Sequence, residues 1–255
     1  MKKIDLKDKV AIVTAAGRGM GIGIAKVFGE AGATVAVTYN ANKENAEKLC
    51  EEIRAMGTKA EAFQLDQRKP EDCNHVIKEV VDTFGKVNIL INNAGVNCRV
   101  DSLEFPEETW DCIVDTNMKG SFYLSCAAAQ QMIAQGTGGT ITSIASINGM
   151  IPLKGAAPYD ASKAGIIMAT KNLALDFGKY GIRVNAVAPG LMDAPGLDEA
   201  VPGWRESYEE RSALGRIGQW EDIGNVCLFL SSEMASWITG QTIVADGGVT
   251  IAPAY

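Results

Sequence analysis

Tyr159 and Lys163 stand four residues apart in Tyr159-Asp160-Ala161-Ser162-Lys163, a spacing that puts a phenol and an ammonium on one face of a helix start. A free tyrosine titrates near pH 10, too high for a general base at neutral pH. A neighbouring ammonium would stabilise the phenolate and lower that value. On its own the pair says little, because Tyr-x-x-x-Lys recurs by chance. Ser146 lies thirteen residues upstream, just beyond the run Gly139–Ile144, and Asn92-Asn93-Ala94-Gly95 closes another apolar run with small and amide residues. Other chemistries are scarce. The only histidine, His75, sits in the polar stretch Glu71-Asp72-Cys73-Asn74-His75 and reads as an exposed helical residue. A multi-histidine zinc site is therefore excluded, no metal site is expected, and a serine–histidine–aspartate triad lacks a credible base. The six cysteines never form a Cys-x-x-Cys pair and read as reduced thiols of a cytoplasmic protein.

A second cluster suits a phosphate. Thr14-Ala15-Ala16-Gly17-Arg18-Gly19-Met20-Gly21 follows the first β-branched run and opens a helical one. Glycines at such a turn let backbone approach a pyrophosphate, while the helix N-terminus supplies N–H donors and positive dipole. The spacing Gly17-x-Gly19-x-Gly21-x-Gly23 departs from the usual G-x-G-x-x-G, so its position carries the reading more than its pattern. Sites that prefer NAD place an acid at the end of the second strand to bind the ribose 2′-hydroxyl. Here that end is Thr38-Tyr39-Asn40, with no carboxylate before Glu44, and Arg18 and Lys43 are the nearby cations. NADP is therefore expected over NAD, with a guanidinium or ammonium on the 2′-phosphate.

The elements that must position these groups alternate along the chain. Strands are expected at Val10–Thr14, Thr34–Thr38, Ala60–Leu65, Ile89–Ile91, Gly139–Ile144, Arg183–Val187 and Thr242–Ala245, and helices from the glycine turn to about Ala31, at Lys43–Met56, Pro70–Phe84, Glu107–Gln135 as one long helix, and Tyr159–Tyr180. Continuously apolar strands with long helical crossovers predict a doubly wound α/β fold around a seven-stranded parallel sheet. No linker or repeat divides residues 1–255, so one domain is expected, with the Pro-, Gly- and Trp-rich stretch Leu191–Gly218 as a substrate lid.

Together these residues resemble the classical short-chain dehydrogenase/reductase family, from about Asp8 to Gly248. The likeness rests on Thr14 with Gly19 and Gly21, Asp66 after the third strand, Asn92-Asn93-Ala94-Gly95, Asn117, Ser146, Tyr159 with Lys163, and Pro189-Gly190. It implies a single Rossmann-like domain in which Tyr159 exchanges a proton with the substrate oxygen and Lys163 holds the nicotinamide ribose and depresses the tyrosine. Ser146 would hydrogen-bond the substrate oxygen, and Asn117 would anchor a water on the proton path from Lys163. By the same resemblance Ala15, Arg18, Gly19 and Met20 would cradle the phosphates, and Tyr39, Asn40, Asp66 and Gln67 would border the adenosine. Asn93, Ala94 and Gly95 would line that side, and Pro189, Gly190 and Met192 would flank the nicotinamide. Relatives are mostly homotetramers built through the corresponding helices; the faces that hold Ala127-Ala128-Ala129 and Ile166-Ile167-Met168 here suit either such an interface or the chain's own core. Two positions depart from the family pattern: Ala15 replaces the first loop glycine, and Ala194 replaces a threonine near the carboxamide.

The substrate pocket is expected to draw on Asn97, Asn148, Met150, Met192 and Trp204, with Tyr208 from the lid, which suits a small or medium secondary alcohol or ketone, a polyol or sugar derivative included. Arg99, Lys154 or Arg205 are candidates for an anionic substrate group. A 3-oxoacyl reductase or hydroxysteroid-type dehydrogenase is the alternative within the family. The acyl-carrier-protein reading loses support at Thr137 and Tyr180, where basic residues are expected and absent. A catalytically silent dinucleotide-binding regulator is the alternative outside enzymes, disfavoured because all four catalytic residues are present. A net charge of −7 and a pI near 4.9 leave no broad basic surface for nucleic acid or anionic membrane. No apolar run approaches the ~20 residues of a membrane span, and Met1-Lys2-Lys3-Ile4-Asp5 lacks the apolar core of a signal peptide.

Overall fold

Alternate residues of the first strand, Val10 and Ile12 against Ala11 and Val13, fall into two different buried clusters. That split is what a strand covered on both faces requires, and it explains why the run is apolar at every position. A computed structural model describes residues 4–252; Met1–Lys3, on which the reading of the amino terminus partly rests, lie outside it. In chain order the elements are β1 (Val10–Val13), α1 (Met20–Glu30), β2 (Thr34–Tyr39), α2 (Lys43–Ala55), β3 (Ala60–Gln64), α3 (Pro70–Phe84), β4 (Ile89–Asn92) and α4 (Glu107–Val114). There follow a π-helical turn (Asp115–Gly120), α5 (Ser121–Ala134), β5 (Gly139–Ile144), α6 (Ala157–Phe177), β6 (Ile182–Pro189), α7 (Leu197–Ala200), α8 (Trp204–Arg211), α9 (Trp220–Ser231) and β7 (Thr242–Ala245).

The seven strands lie in the order β3-β2-β1-β4-β5-β6-β7, every pair parallel. The order reverses between β1 and β4, which opens a crevice beyond their carboxyl ends. One face packs on α1, α2 and α9 through Ile24, Phe28, Leu49, Ile53, Ile223 and Leu230. The other packs on α3, α5 and α6 through Val76, Val80, Leu124, Met132 and Leu173. The doubly wound α/β sheet expected from the strand pattern is therefore present.

Three expectations need correction. The long helix predicted over Glu107–Gln135 is three pieces, because the helical ladder widens by one residue at the π turn. There the Asn117 carbonyl accepts from the Ser121 hydroxyl at 2.7 Å, and Gly120 presses so closely on Gln67 that a Cβ would sit 2.7 Å from its carbonyl oxygen. α9 was not anticipated as an element. Its signals are a capping box between Gln219 and Asp222 and an apolar stripe at Ile223, Cys227 and Leu230. The lid stretch is not irregular throughout, since it holds α7 and α8. Of the two readings of those helix faces, packing within the chain holds for Ala127, Ala128, Ala129 and Ile166, which are buried, whereas Met168 is exposed.

His75 lies on α3 as expected, exposed and 3.6 Å from Glu79. All six cysteines are unpaired: Cys50, Cys73 and Cys227 are buried, with burial pushing each thiol up to about 12. Among the described residues no group of His, Cys, Asp and Glu could hold a metal ion, and no helix is long and apolar enough to cross a membrane.

Candidate active site

Everything with chemical potential gathers at the carboxyl ends of β1, β4, β5 and β6. β5 delivers Ser146 in extended backbone (φ −167°) at the start of a 3-10 turn, Ile147–Gly149, and its Oγ accepts from the Asn148 N–H at 3.1 Å. Gly149 lets this turn lie directly on α6: a Cβ there would be 2.8 Å from the Lys163 carbonyl carbon. α6 begins at Ala157-Pro158, with proline in its first turn, so Tyr159 and Lys163 share one face near its start. The three residues line a single cleft of about 250 Å³ with Met20, Asn93, Gly95, Asn97, Pro189, Gly190 and Met192.

Lys163 is 3 % exposed, and its Nζ donates to the Ile144 carbonyl at 2.7 Å and stands 5.5 Å from the centre of the Tyr159 ring. Burial draws its pKa down to about 8. The Tyr159 phenol is pushed upward by burial, and the Ser146 hydroxyl pulls in the opposite direction. In the protein alone the Ser146 hydroxyl is the group that lowers the tyrosine, and desolvation outweighs it. Asn117 is fully buried at the π turn. Its amide accepts from Val96 N at 2.8 Å and donates to Val96 O at 2.9 Å and to Ser162 Oγ at 3.0 Å. Ser162 Oγ in turn donates to the Tyr159 carbonyl at 2.7 Å. The Asn117 side chain thus ties the loop after β4 to the N-terminal part of α6, a positioning role.

A second cleft of about 170 Å³ shares Gly95 and Val96 with the first and extends toward β2 and β3. Ala15, Arg18, Tyr39, Asn40, Asp66, Gln67 and Ala94 line it. Its floor is fixed by Thr14, whose Oγ1 accepts from Asn93 N at 2.9 Å and Ala94 N at 2.8 Å while Asn93 Nδ2 donates to Thr14 O at 2.8 Å. Ala15 N donates to Thr38 Oγ1 at 3.2 Å.

The glycines of the loop serve distinct purposes. Gly19 adopts φ 55°, ψ −144°, a conformation closed to side chains, and caps α1 with no side-chain hydrogen bond, leaving the first-turn donors of the helix to the cleft. Gly23 admits α9, since a Cβ would meet Trp220 Cβ at 2.4 Å. Ala15, which replaces the family's first loop glycine, is itself left-handed at φ 51°. Such backbone costs an L-residue roughly 1–2 kcal/mol, partly offset by the smaller unfolded-state entropy of alanine. Ala15→Gly is therefore expected to raise stability by up to about 1 kcal/mol, read as a higher Tm; a lower Tm would mean the methyl packs well enough to outweigh the strain.

Several side chains stand differently from expectation. The Asp66 carboxylate is gripped by Arg68, through Nε at 2.8 Å and Nη2 at 2.6 Å, and is held below the usual carboxylate range by that contact. Arg68, which lines the cleft, was missed because an arginine two residues after an acid has no distinguishing pattern. Gln67 lines the cleft but donates its amide to Thr116 O on the π turn. In the substrate group, Asn97 and Met192 line the catalytic cleft, whereas Asn148, Met150 and Trp204 do not. Asn148 instead holds Ser146, Met150 is exposed, and Trp204 lies under the Arg99 guanidinium. Tyr208 is buried rather than cleft-lining: its hydroxyl donates to Asp246 O at 2.7 Å, a contact only glycine at 190 permits, since a Cβ there would meet that hydroxyl at 1.8 Å. Arg205 is engaged by Asp193 at 2.8 Å and Asp198 at 3.0 Å. Lys43 lies outside both clefts.

A parallel sheet of this order, an uncapped helix N-terminus at its switch point, and serine, tyrosine and lysine converging on one cleft define an oxidoreductase of the dinucleotide-binding class, and the chain belongs to the short-chain dehydrogenase/reductase family. The family model described as "Enoyl-(Acyl carrier protein) reductase" matches residues 14–250. A 3-oxoacyl-[acyl-carrier-protein] reductase of Staphylococcus aureus is 40% identical over 241 residues, which cover 94% of this chain and 98% of that one. Among solved structures, a short-chain type dehydrogenase/reductase from Mycobacterium marinum superposes with TM-score 0.91 at 34% identity, covering 97% of each chain. Acetoin dehydrogenase from Enterobacter cloacae superposes with TM-score 0.88 at 33% identity, covering 98% of each.

Proposed function

We propose that the protein is an NADP-preferring oxidoreductase that transfers hydride between the nicotinamide and a small or medium ketone or secondary alcohol, with Tyr159 as proton donor and acceptor. The observation that carries this reading is the shared cleft of Ser146, Tyr159 and Lys163 beside Pro189-Gly190 and Asn93–Gly95. The cofactor fits on the donor set of the uncapped α1 N-terminus and on Lys163, which has two N–H groups beyond the one on Ile144. When bound, the nicotinamide supplies or accepts the hydride. Ser146 orients the substrate oxygen toward the phenol, and the Tyr159 hydroxyl hands its proton to that oxygen during reduction. Burial keeps this phenol protonated at neutral pH, which favours its use as an acid. Asn117 and Gly149 hold the donor in place from below.

The choice of NADP is supported by Arg18, exposed on the rim of the adenosine cleft, and by the absence of a free carboxylate among its lining residues, Asp66 being bound to Arg68. Arg18→Ala is expected to raise Kd for NADPH roughly 5- to 150-fold, the scale of one charge-assisted hydrogen bond, and to leave NADH within twofold, measured by titration of each. Equal weakening of both would remove Arg18 from 2′-phosphate recognition. A homotetramer is also proposed, supported by exposed apolar side chains on α4, α5 and α6 (Trp110, Phe122, Tyr123, Met168 and Leu175), together with a cytoplasmic location in keeping with six unpaired thiols.

A second reading, reduction of a 3-oxoacyl thioester, is favoured by the Staphylococcus relative. Against it stand Thr137 and Tyr180, uncharged where a carrier protein would need cations. NADPH consumption at 340 nm, a property of the cofactor, with ketones, polyols and acetoacetyl-CoA decides between them. Turnover confined to the thioester would overturn the first reading, and no consumption with any of these compounds would favour a silent dinucleotide-binding protein.

A further inference from the structure

Three loops surround the mouth of the catalytic cleft: the one after β4, the one between β5 and α6, and the lid after β6. The first two are joined where Val100 N donates to Gly155 O at 3.0 Å. The first and third are joined where the Arg99 guanidinium lies 4.5 Å above the Trp204 ring, at the start of α8. Arg99 is two residues from Asn97, which lines the cleft. Among the described residues its side chain makes no hydrogen bond and no ion pair, although it is held in place by the indole beneath it. Stacking consumes the flat face of a guanidinium and leaves the in-plane N–H fork available. Acids of the same loops are held by other groups: Asp193 and Asp198 pair with Arg205, and Asp101 accepts from the backbone N–H of Leu103.

A preorganised guanidinium with an open fork at the mouth of a reaction cleft matches a planar pair of anionic oxygens. We propose that Arg99, seated on Trp204, recognises a carboxylate on the substrate, so that the physiological substrate is a short keto acid or the corresponding hydroxy acid. This rests on the hydride-transfer reading above and narrows its substrate class. The catalytic cleft, about 250 Å³ and shared with the nicotinamide, restricts the acid to a short chain. Arg99 is a specificity residue in this account and takes no part in proton or hydride transfer.

The test uses pairs that differ only in charge: four- to eight-carbon keto acids and their methyl esters, assayed with NADPH. The wild type is expected to prefer the acids in kcat/KM by tenfold or more. Arg99→Ala is expected to lower kcat/KM for the acids roughly 10- to 100-fold, mainly through KM, and to leave the esters within twofold. Arg99→Lys, which keeps charge but loses the fork, should recover part of the loss. Turnover of the esters with no preference for the acids in the wild type, or a preference that survives in Arg99→Ala and disappears in Lys154→Ala, would overturn the assignment while leaving the proposed function intact. Failure to reduce either member of any pair would overturn the assignment, and it would overturn the proposed function as well only where neutral ketones, polyols and acetoacetyl-CoA are also not reduced.

Discussion

Tyr159→Phe lowers kcat for ketone reduction by roughly two to four orders of magnitude, the contribution of a positioned general acid, and changes Kd for NADPH by less than about twofold. The phenyl ring fills the same volume, so the only group deleted is the hydroxyl that faces Ser146. The backbone under it is fixed independently, by the hydrogen bond from Ser162 Oγ to the Tyr159 carbonyl and by the hydrogen bond from Asn117 to Ser162. Loss of kcat with unchanged cofactor affinity therefore isolates the proton step. Steady-state kinetics together with a binding titration reads both quantities. A variant that retains wild-type kcat would remove Tyr159 from proton transfer, and a parallel loss of NADPH affinity would recast it as a cofactor-holding residue.

How far such a site can be read from sequence depends on whether a group acts through local pattern or through contacts made in space. β1 is legible because a strand buried on both faces is apolar at each position, and α3 because Pro70 opens it with Gly85 closing it in left-handed backbone. Tyr159, Lys163 and Ser146 are legible because they share a helix face and a strand end. The π turn at Asp115–Gly120 is not, since it depends on Gly120 meeting Gln67 and on the Asn117 amide meeting the backbone of Val96, contacts across tens of residues. Tyr208 reads as a lid aromatic and proves to be buried because the empty Cβ position of Gly190, eighteen residues earlier, admits its hydroxyl. Arg205 and Arg99 are indistinguishable as loop cations in the sequence. Only the fold shows that two carboxylates satisfy the first, while an indole supports the second and leaves its donors unpaired.

The same dependence on tertiary surroundings sets the cost of burying Lys163. Folding carries Lys163 from water, where its pKa is 10.5, to a buried position where it is about 8. Below pH 8 both folded and unfolded chains carry the proton, and the folded state bears the full desolvation penalty, about 3 kcal/mol at 1.36 kcal/mol per pH unit. Between pH 8 and 10.5 the unfolded chain binds the proton and the folded chain does not, so stability rises with pH until the penalty is gone. Lys163→Met removes the charge at nearly the same length, at the expense of one orphaned carbonyl at Ile144, worth about 1 kcal/mol. The variant is therefore expected to be more stable than the wild type at pH 7 by roughly 1–2 kcal/mol, a Tm increase of about 2–8 °C for a chain of this size, while losing turnover. The advantage should shrink steadily above pH 8. Thermal melts of both proteins from pH 7 to 10 test this, and a variant less stable at pH 7, or a difference indifferent to pH, would mean that Lys163 is solvated or paired in solution.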